Sequence, residues 1–490
     1  MVYMEANETG NTSSNSNTSA KDASDLNKYH CRKCRCSCNG CINVYIPKRY
    51  LTTFLTAMGM VITYAMRTNL GFTAVMILAE EPSEKVGTPD ARWNLPTVHW
   101  TTSMVGVLHA TFYIGYILTH LPGGYLTTVC SSNRLYGGCI LFSGAINLLV
   151  PTFIEDIGYN ATCILRTIQG MSEGIIYPAS YEVLRYCSMI LSYKLIFFKG
   201  IIYPASYGVL RYWSTSEERG MLVSAVLTGC YAGAIIGFPL AGFISHYIGW
   251  QYVFYVCGGS CIVWYMFWLC LVYEKPSHHP YISDKELDYI EDSHGSDCIE
   301  YENLKTPWKR ILTSFPVWAI CFTTFVRYWI FILMMTNEPY YLSMYGFTVA
   351  ETGIFGAIPH ALKVWLYSRH IVKGQIIHSN HTFAMQALCY WMLTMSYQGG
   401  VVMIFLSLAI GSFGLSVAGW QINHYDLSAR YAGVLVSITS AFGTIGGILS
   451  PIVAGQLTGS KIVPSDLDGW AKVFYITIAL LLSSGKFLII

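Results

Sequence analysis

Charged side chains are scarce in this sequence. Only 12% of its 490 residues are Asp, Glu, Lys or Arg, whereas 53% are hydrophobic. A soluble domain carries roughly 25% charged residues, so this supply cannot cover a water-facing surface on a chain of this length. Most of the surface is therefore expected to face a lipid bilayer. The 15% aromatic content fits this expectation, because Trp and Tyr collect at membrane interfaces.

Other absences narrow the class of protein further. A net charge of +2 offers no basic surface for nucleic acid, so we expect no such partner. The polar stretches contain no paired carboxylates, nucleophile motif or metal-ligand spacing, so we expect neither an enzyme nor a bound cofactor or metal. The "NHYD" at 423–426 contains His and Asp, but its position predicts a gate loop rather than a catalytic site.

Long apolar segments dominate the remainder of the chain. A membrane-spanning helix needs roughly 20 mostly apolar residues. The sequence predicts twelve such spans, near 51–79, 100–121, 135–154, 161–181, 220–245, 250–273, 315–341, 346–367, 383–398, 400–419, 431–457 and 470–490. The fourth, eighth and ninth are the weakest. The pattern predicts an all-α membrane protein with two halves of six helices each.

The polar segments divide the chain into four parts. We expect residues 1–49 to form a disordered cytosolic tail, 50–273 the N-terminal half, 274–314 a central cytosolic loop and 315–490 the C-terminal half. Lys and Arg concentrate on the side of the predicted bundle that holds the tail and the central loop, so both termini are expected in the cytosol. The tail carries "CRKCRCSCNGC" at 31–41, which fits either palmitoylation next to the membrane or unmodified thiols.

Five ionisable side chains fall inside predicted spans, where a charge is costly unless it is paired or lines a cavity. They are Arg67, His109, Arg166, Glu173 and Arg327. Arg166 and Glu173 are seven residues apart on one helix face, so a structural salt bridge between them is one interpretation. Cations without nearby acids in sequence suggest that the anion is the substrate, with one Arg from each half binding it. His109 is either a pH-sensitive group or a hydrogen-bonded structural one.

Several motifs resemble the anion symporters of the major facilitator superfamily, and most closely the vesicular glutamate transporters. They are "RTNLG" at 67–71, "LPGGYL" at 121–126, "RTIQGMSEGIIYPA" at 166–179, "YAGAIIGFPLAG" at 231–242 and "NHYDLSARYAGVL" at 423–435. The resemblance extends from about Cys36 to the C-terminus. It implies the major facilitator fold, whose halves rock around a site near the membrane midplane.

The resemblance also implies roles for individual residues. Arg67 and Arg327 would hold the substrate carboxylates, and His109 would be required for transport. Arg166 and Glu173 would link lumenal protons and chloride to activation.

Tyr177 and Tyr231 would line the cavity. The implied substrate is L-glutamate or another small organic anion, carried into synaptic or other acidic vesicles by the membrane potential. Inorganic phosphate carried with sodium is a further implied activity, and the plasma membrane a further location. A sialic-acid or phosphate transporter and an anion channel remain alternatives.

A duplicated stretch interrupts the fourth predicted span. "GIIYPASYEVLRY" at 174–186 returns as "GIIYPASYGVLRY" at 200–212. The family motif precedes the first copy and continues after the second. We therefore interpret the extra 26 residues as an insertion, by recent duplication or a gene-model error, into one element. In an alternative interpretation Tyr203 of the second copy takes the place of Tyr177.

Further departures from the family pattern lie in the C-terminal half. The stretch 361–380 is shorter and more charged than its counterpart, which predicts damaged eighth and ninth helices. Glu338 adds an unusual acid to the seventh span, and Ala429 replaces a proline.

Overall fold

The structure is a computed structural model and describes residues 47–78, 98, 100–129, 131–176, 213, 218–295, 308–373, 379–428, 432–458 and 467–487. The cysteine cluster, Tyr177 and most of the duplicated stretch lie outside these residues, so the predictions made for them remain predictions.

Twelve long helices account for most of the described chain. The N-terminal six are α1 (Lys48–Leu78), α2 (Thr102–Val129), α3 (Ser132–Thr152), α4 (Tyr159–Ile176), α5 (Arg219–Tyr247) and α6 (Trp250–Leu271). The C-terminal six are α7 (Phe315–Ser343), α8 (Val349–Lys373), α9 (Ser379–Thr394), α10 (Gly399–Ser428), α11 (Ala432–Leu457) and α12 (Leu467–Phe487). Each overlaps one predicted span, which confirms the predicted layout.

Length and composition qualify eight of the twelve described helices as membrane spans. The four that fall short are α4, α8, α9 and α10, three of which carry the weakest sequence signals. The predicted damage to the eighth helix is wrong, because α8 runs for 25 residues without a break. The described part of α9 has 16 residues and is about 24 Å long at 1.5 Å per residue, and the predicted damage to the ninth helix stays a prediction.

The central segment between the halves contains a loop helix, Asp284–Gly295, that contacts the start of α1. The Glu286 carboxylate accepts hydrogen bonds of 3.1 Å from the backbone N–H groups of Lys48 and Arg49. A carboxylate at a helix N-terminus accepts hydrogen bonds from the free backbone N–H groups there and interacts favourably with the helix dipole. Nearby, burial and then the charge of Lys48 lower the pKa of His279, whose Nδ1 accepts the N–H of Tyr281 at 3.1 Å.

The two halves meet through three helix pairs: α1 with α7, α2 with α11 and α5 with α8. Their closest contacts lie at the end of the bundle where α1 ends and α2 begins. We call this end the α1–α2 end. Gly106 faces Pro451 and Gly455 there, and Gly242 faces Gly353. The Thr102 hydroxyl donates to the carbonyls of Gly455 and Thr458 at 3.0 and 3.1 Å. The described parts of the halves are thus in direct backbone contact at this end.

Candidate functional site

Buried charged side chains meet where the two halves face each other. Arg67 lies on α1, Arg166 and Glu173 on α4, and Arg327 on α7, and all four are at most 8% exposed. Close packing of α4 against α2 fixes two of them. A Cβ added at Gly170 would overlap the carbonyl oxygen of Phe112, and one at Gly174 would overlap that of Tyr116. This contact places Arg166 and Glu173 against the aromatic face of α2.

Glu173 pairs with Arg67, not with Arg166. The Arg67 Nε donates to Glu173 Oε2 at 2.8 Å, and the Ser143 hydroxyl donates to the other oxygen, Oε1, at 2.6 Å. The interpretation of Arg166 and Glu173 as a structural salt bridge is therefore wrong. The two residues do share a face of α4, but the carboxylate points across the bundle to α1, which spacing along one helix cannot show.

A hydrogen-bonded chain connects this ion pair to Arg166. Gln169 Nε2 donates to the Ser143 hydroxyl at 3.3 Å, and Arg166 Nη1 donates to Gln169 Oε1 at 2.7 Å. The guanidinium carbons of Arg166 and Arg67 lie 5.2 and 5.3 Å from the centre of the Phe112 ring. One aromatic ring thus contacts both cations.

His109 lies one helical turn before Phe112 on α2 and is 2% exposed. Its Nε2 has no hydrogen-bond partner in the described part of the chain, which weakens the interpretation as a purely structural histidine. Arg166 is close enough to act on it electrostatically.

A row of aromatic rings extends from Arg67 to Arg327. Tyr64, which contacts Arg67 at 4.4 Å, lies 6.4 Å from Phe331 between ring centres. Phe331 stacks on Phe413 at 6.3 Å, and the Arg327 guanidinium lies 4.2 Å from the Phe413 ring. We call Tyr64, Phe331 and Phe413 the aromatic row.

Tyr231 of α5 joins the aromatic row at Phe331, with 6.4 Å between the ring centres. The row and Tyr231 therefore connect three predicted site residues, Arg67, Arg327 and Tyr231, through successive ring contacts. The two arginines come from different halves of the bundle.

Lys363 on α8 is a site residue that the sequence analysis missed. Its side chain is 1% exposed, and its Nζ lies over the rings of Tyr231, Phe413 and Phe331 at 3.9, 4.1 and 4.6 Å. A lysine within the predicted eighth span was the available signal. The charged character of that stretch was interpreted instead as damage to the helix.

A second buried ionisable pair lies in the C-terminal half. His360 Nε2 is 3.4 Å from Glu338 Oε2, and both side chains are excluded from solvent. Among the described residues, neither the Glu338 oxygens nor the His360 nitrogens have a hydrogen-bond partner. The acid that the sequence marks as unusual thus has a specific neighbour on α8.

The described parts of the twelve helices bury four cationic side chains and two carboxylates: Arg67, Arg166, Arg327 and Lys363 against Glu173 and Glu338. Glu173 neutralises Arg67, and Glu338 lies beside His360. An excess of positive charge therefore remains between the halves. Because burying charge is costly, an excess of buried cations over carboxylates among the described side chains favours binding of an anion.

Twelve helices in two halves with ionisable groups at their interface define a membrane transporter of the alternating-access type. The sequence model of the Major Facilitator Superfamily matches residues 56–185 and 195–451. The chain is 32% identical over 464 residues to vesicular glutamate transporter 2 of Homo sapiens. This match covers 90% of this chain and 73% of that protein. It is 31% identical over 462 residues to vesicular glutamate transporter 1 of Bos taurus, covering 90% and 75%.

Solved structures show the same fold at low sequence identity. A bacterial homologue of the human lysosomal transporter Spinster superposes with a TM-score of 0.66 at 11% identity, covering 91% of this chain and 97% of that one. A D-xylose–proton symporter superposes with a TM-score of 0.63 at 14% identity, covering 89% and 96%. The chain therefore belongs to the major facilitator superfamily and, within it, to the family of the vesicular glutamate transporters. It is a multi-pass membrane transporter and not an enzyme.

Proposed function

We propose that this chain transports L-glutamate, or a closely related small organic anion, across a vesicle membrane. The observation that carries the proposal is the placement of Arg67 and Arg327. They belong to different halves, are both buried, and lie at the two ends of one aromatic row. An anion held between them would contact both halves, as the alternating movement of this fold requires. The relatives named as glutamate transporters support glutamate as the first substrate to test.

The ion pair between Arg67 and Glu173 suggests how a proton could control this site. With Glu173 ionised, Arg67 is neutralised at 2.8 Å. Protonation of Glu173 would remove its negative charge and leave the guanidinium to attract the substrate or chloride. The resemblance implies that Arg166 and Glu173 together link protons and chloride to activation, whereas in this proposal Arg67 is the partner that protonation releases. Arg166 stays connected through Gln169 and Ser143.

Orientation and location complete the proposal. Lys and Arg are concentrated on the side that holds the N-terminus, the central loop and the C-terminus, which we assign to the cytosol. The α1–α2 end then faces the vesicle lumen. The membrane potential would drive glutamate inward, with protons and chloride acting on the buried charges. Phosphate carried with sodium is a second activity to test in the same preparation.

The deciding experiment is uptake of radiolabelled glutamate by the purified chain in proteoliposomes with an imposed membrane potential. Aspartate, sialic acid and inorganic phosphate serve as alternative substrates. Arg327→Ala should abolish uptake, and Arg327→Lys should restore it only in part, because an ammonium lacks the planar fork of a guanidinium. Arg310→Ala is the matched control, since Arg310 is exposed on the short helix Trp308–Leu312.

Wild-type uptake by a folded Arg327→Ala variant would remove the substrate-binding role. Saturable uptake of phosphate or sialic acid in place of glutamate would identify a different anion transporter. A chloride current without saturable uptake of any of these would identify a channel.

A further inference from the structure

Lys363 is surrounded by an aromatic cage, which we define as Tyr231, Phe331 and Phe413. The cage is built from both halves: Tyr231 comes from α5, Phe331 from α7 and Phe413 from α10. Lys363 itself comes from α8, and its Nζ lies 3.9–4.6 Å from the three ring centres. The ammonium thus lies where helices of both halves meet.

This cage stabilises a cation but does not neutralise it. Each ring contributes through the negative face of its π system. Among the described residues, no carboxylate lies within the 4.0 Å that defines an ion pair with Lys363. A buried ammonium is costly unless an anion accompanies it. An anion that binds next to Lys363 would therefore stabilise this site.

Arg327 adds a second cation at the same place. Phe413 contacts both groups, with 4.2 Å from its ring centre to the Arg327 guanidinium carbon and 4.1 Å to the Lys363 Nζ. Two like charges on one ring repel each other in a medium of low dielectric constant. An anion that accepts hydrogen bonds from both would relieve this repulsion and would be held by two charge-assisted bonds.

We propose that Lys363 binds the transported anion directly, sharing one of its carboxylates with Arg327. This inference rests on the proposed function for the identity of the anion. It places two cations of the C-terminal half, Lys363 and Arg327, beside the anion. The N-terminal half contributes Arg67, whose charge is controlled by Glu173. Lys363 would then favour substrates with a net negative charge over neutral analogues.

The test compares Lys363→Met, Lys363→Arg and the control Lys472→Met in full-length protein in proteoliposomes. Lys472 is exposed on α12, so its variant reports any general effect of a Lys-to-Met change. The KM is measured for glutamate, and glutamate is compared with glutamine as an inhibitor of uptake. Glutamine has the same backbone groups but carries no net charge. Thermal unfolding of the detergent-solubilised protein, with and without glutamate, reports folding and binding separately from transport.

We expect Lys363→Met to raise the KM for glutamate at least tenfold and to reduce the preference for glutamate over glutamine. It should also lose the rise in unfolding temperature that glutamate causes in the wild type. Lys363→Arg should retain part of each property, and Lys472→Met all of them. An unchanged KM and an unchanged preference in Lys363→Met would overturn the inference. A changed chloride dependence with an unchanged KM would also overturn it, by assigning Lys363 to chloride.

The proposed function is tested separately, by measuring which substrates the wild type transports. If the wild type transports phosphate or sialic acid but not glutamate, the proposed substrate is wrong. The KM of Lys363→Met for that anion then decides the role of Lys363.

Discussion

Glu173 is the residue whose charge controls the site in our proposal. Replacement by Gln keeps the shape and allows Ser143 to donate its hydrogen bond, but removes the negative charge that holds Arg67 at 2.8 Å. We expect Glu173→Gln to behave like the acid-activated wild type. A dependence of wild-type uptake on lumenal pH should be lost in the variant. The measurement is the uptake rate against lumenal pH.

Glu351→Gln is the control for this change, because Glu351 is an exposed carboxylate near the start of α8. It should keep the wild-type profile. A wild-type pH profile in Glu173→Gln would exclude Glu173 as the sensor and leave His109 as the next residue to test.

Glu338 and His360 form the buried pair of the C-terminal half, 3.4 Å apart. Leaving a buried polar group without its partner typically costs about 1–3 kcal/mol, whereas an apolar replacement of both partners can be nearly neutral. We expect His360→Phe to lower the free energy of unfolding by about this amount, and addition of Glu338→Leu to recover most of it. A double-mutant cycle in detergent micelles measures the coupling. Additive effects of the two substitutions would show that the pair does not interact.

At the residue scale, the sequence predicted most of the buried charges, although not Lys363, and it did not show how they pair. Arg67, Arg166, Glu173 and Arg327 are recognisable because each interrupts an apolar segment. The partner of Glu173 lies 106 residues away on another helix, so no spacing rule connects them. Lys363 contacts rings of three different helices, and only the packed bundle brings these together.

The packing of α2 against α4 determines where the N-terminal charges lie. A Cβ at Gly170 would overlap the Phe112 carbonyl oxygen, whereas a Cβ at Gly138 on α3 meets nothing within 4 Å. We expect Gly170→Ala to destabilise the protein by about 1–3 kcal/mol through overpacking. Gly138→Ala should be neutral or stabilise it by roughly 0.5–1 kcal/mol, since Ala is the better helix former. Thermal unfolding of both variants tests this, and equal unfolding temperatures would contradict the close contact.

The helices themselves could be predicted more completely than their contacts. The sequence predicts an apolar segment at each of the twelve, because a bilayer requires each span to be apolar over a fixed length, although only eight of the described helices meet the length and hydropathy of a span. The weak signals of α4 and α8 have a physical cause, since these helices carry charged site residues.

The two halves act as one molecule through their contact at the α1–α2 end. In major facilitator transporters the halves rock about a central site, so contacts at one end must form and break. Backbone contact through glycine is suited to this, because it allows close approach without interlocking side chains. The sequence shows the glycines, but it does not show which ones face each other across the halves.

Gly353 provides a test of whether the contact between α5 and α8 acts as a gate, that is, whether it must open and close during transport. A Cβ at this position would lie 2.8 Å from the Phe238 carbonyl oxygen and 3.0 Å from the Gly242 Cα atom, so Gly353→Val should prevent α5 and α8 from closing. We expect the halves to separate at this end by several ångströms. Spin labels on Ile248→Cys and Tyr397→Cys, which are exposed at this end on opposite halves, would measure the separation in a background without the native cysteines.

The control for Gly353→Val is Gly259→Val on α6, where an added Cβ meets nothing within 4 Å. This variant should leave the distance between the labels unchanged. Transport should fall in Gly353→Val, because a transporter that cannot close one end cannot complete its cycle. The glutamate site should remain, since Gly353 lies about three helical turns from Lys363, so binding measured by thermal stabilisation should survive. A Gly353→Val variant with the wild-type label distance and wild-type uptake would show that the contact between α5 and α8 is not a gate.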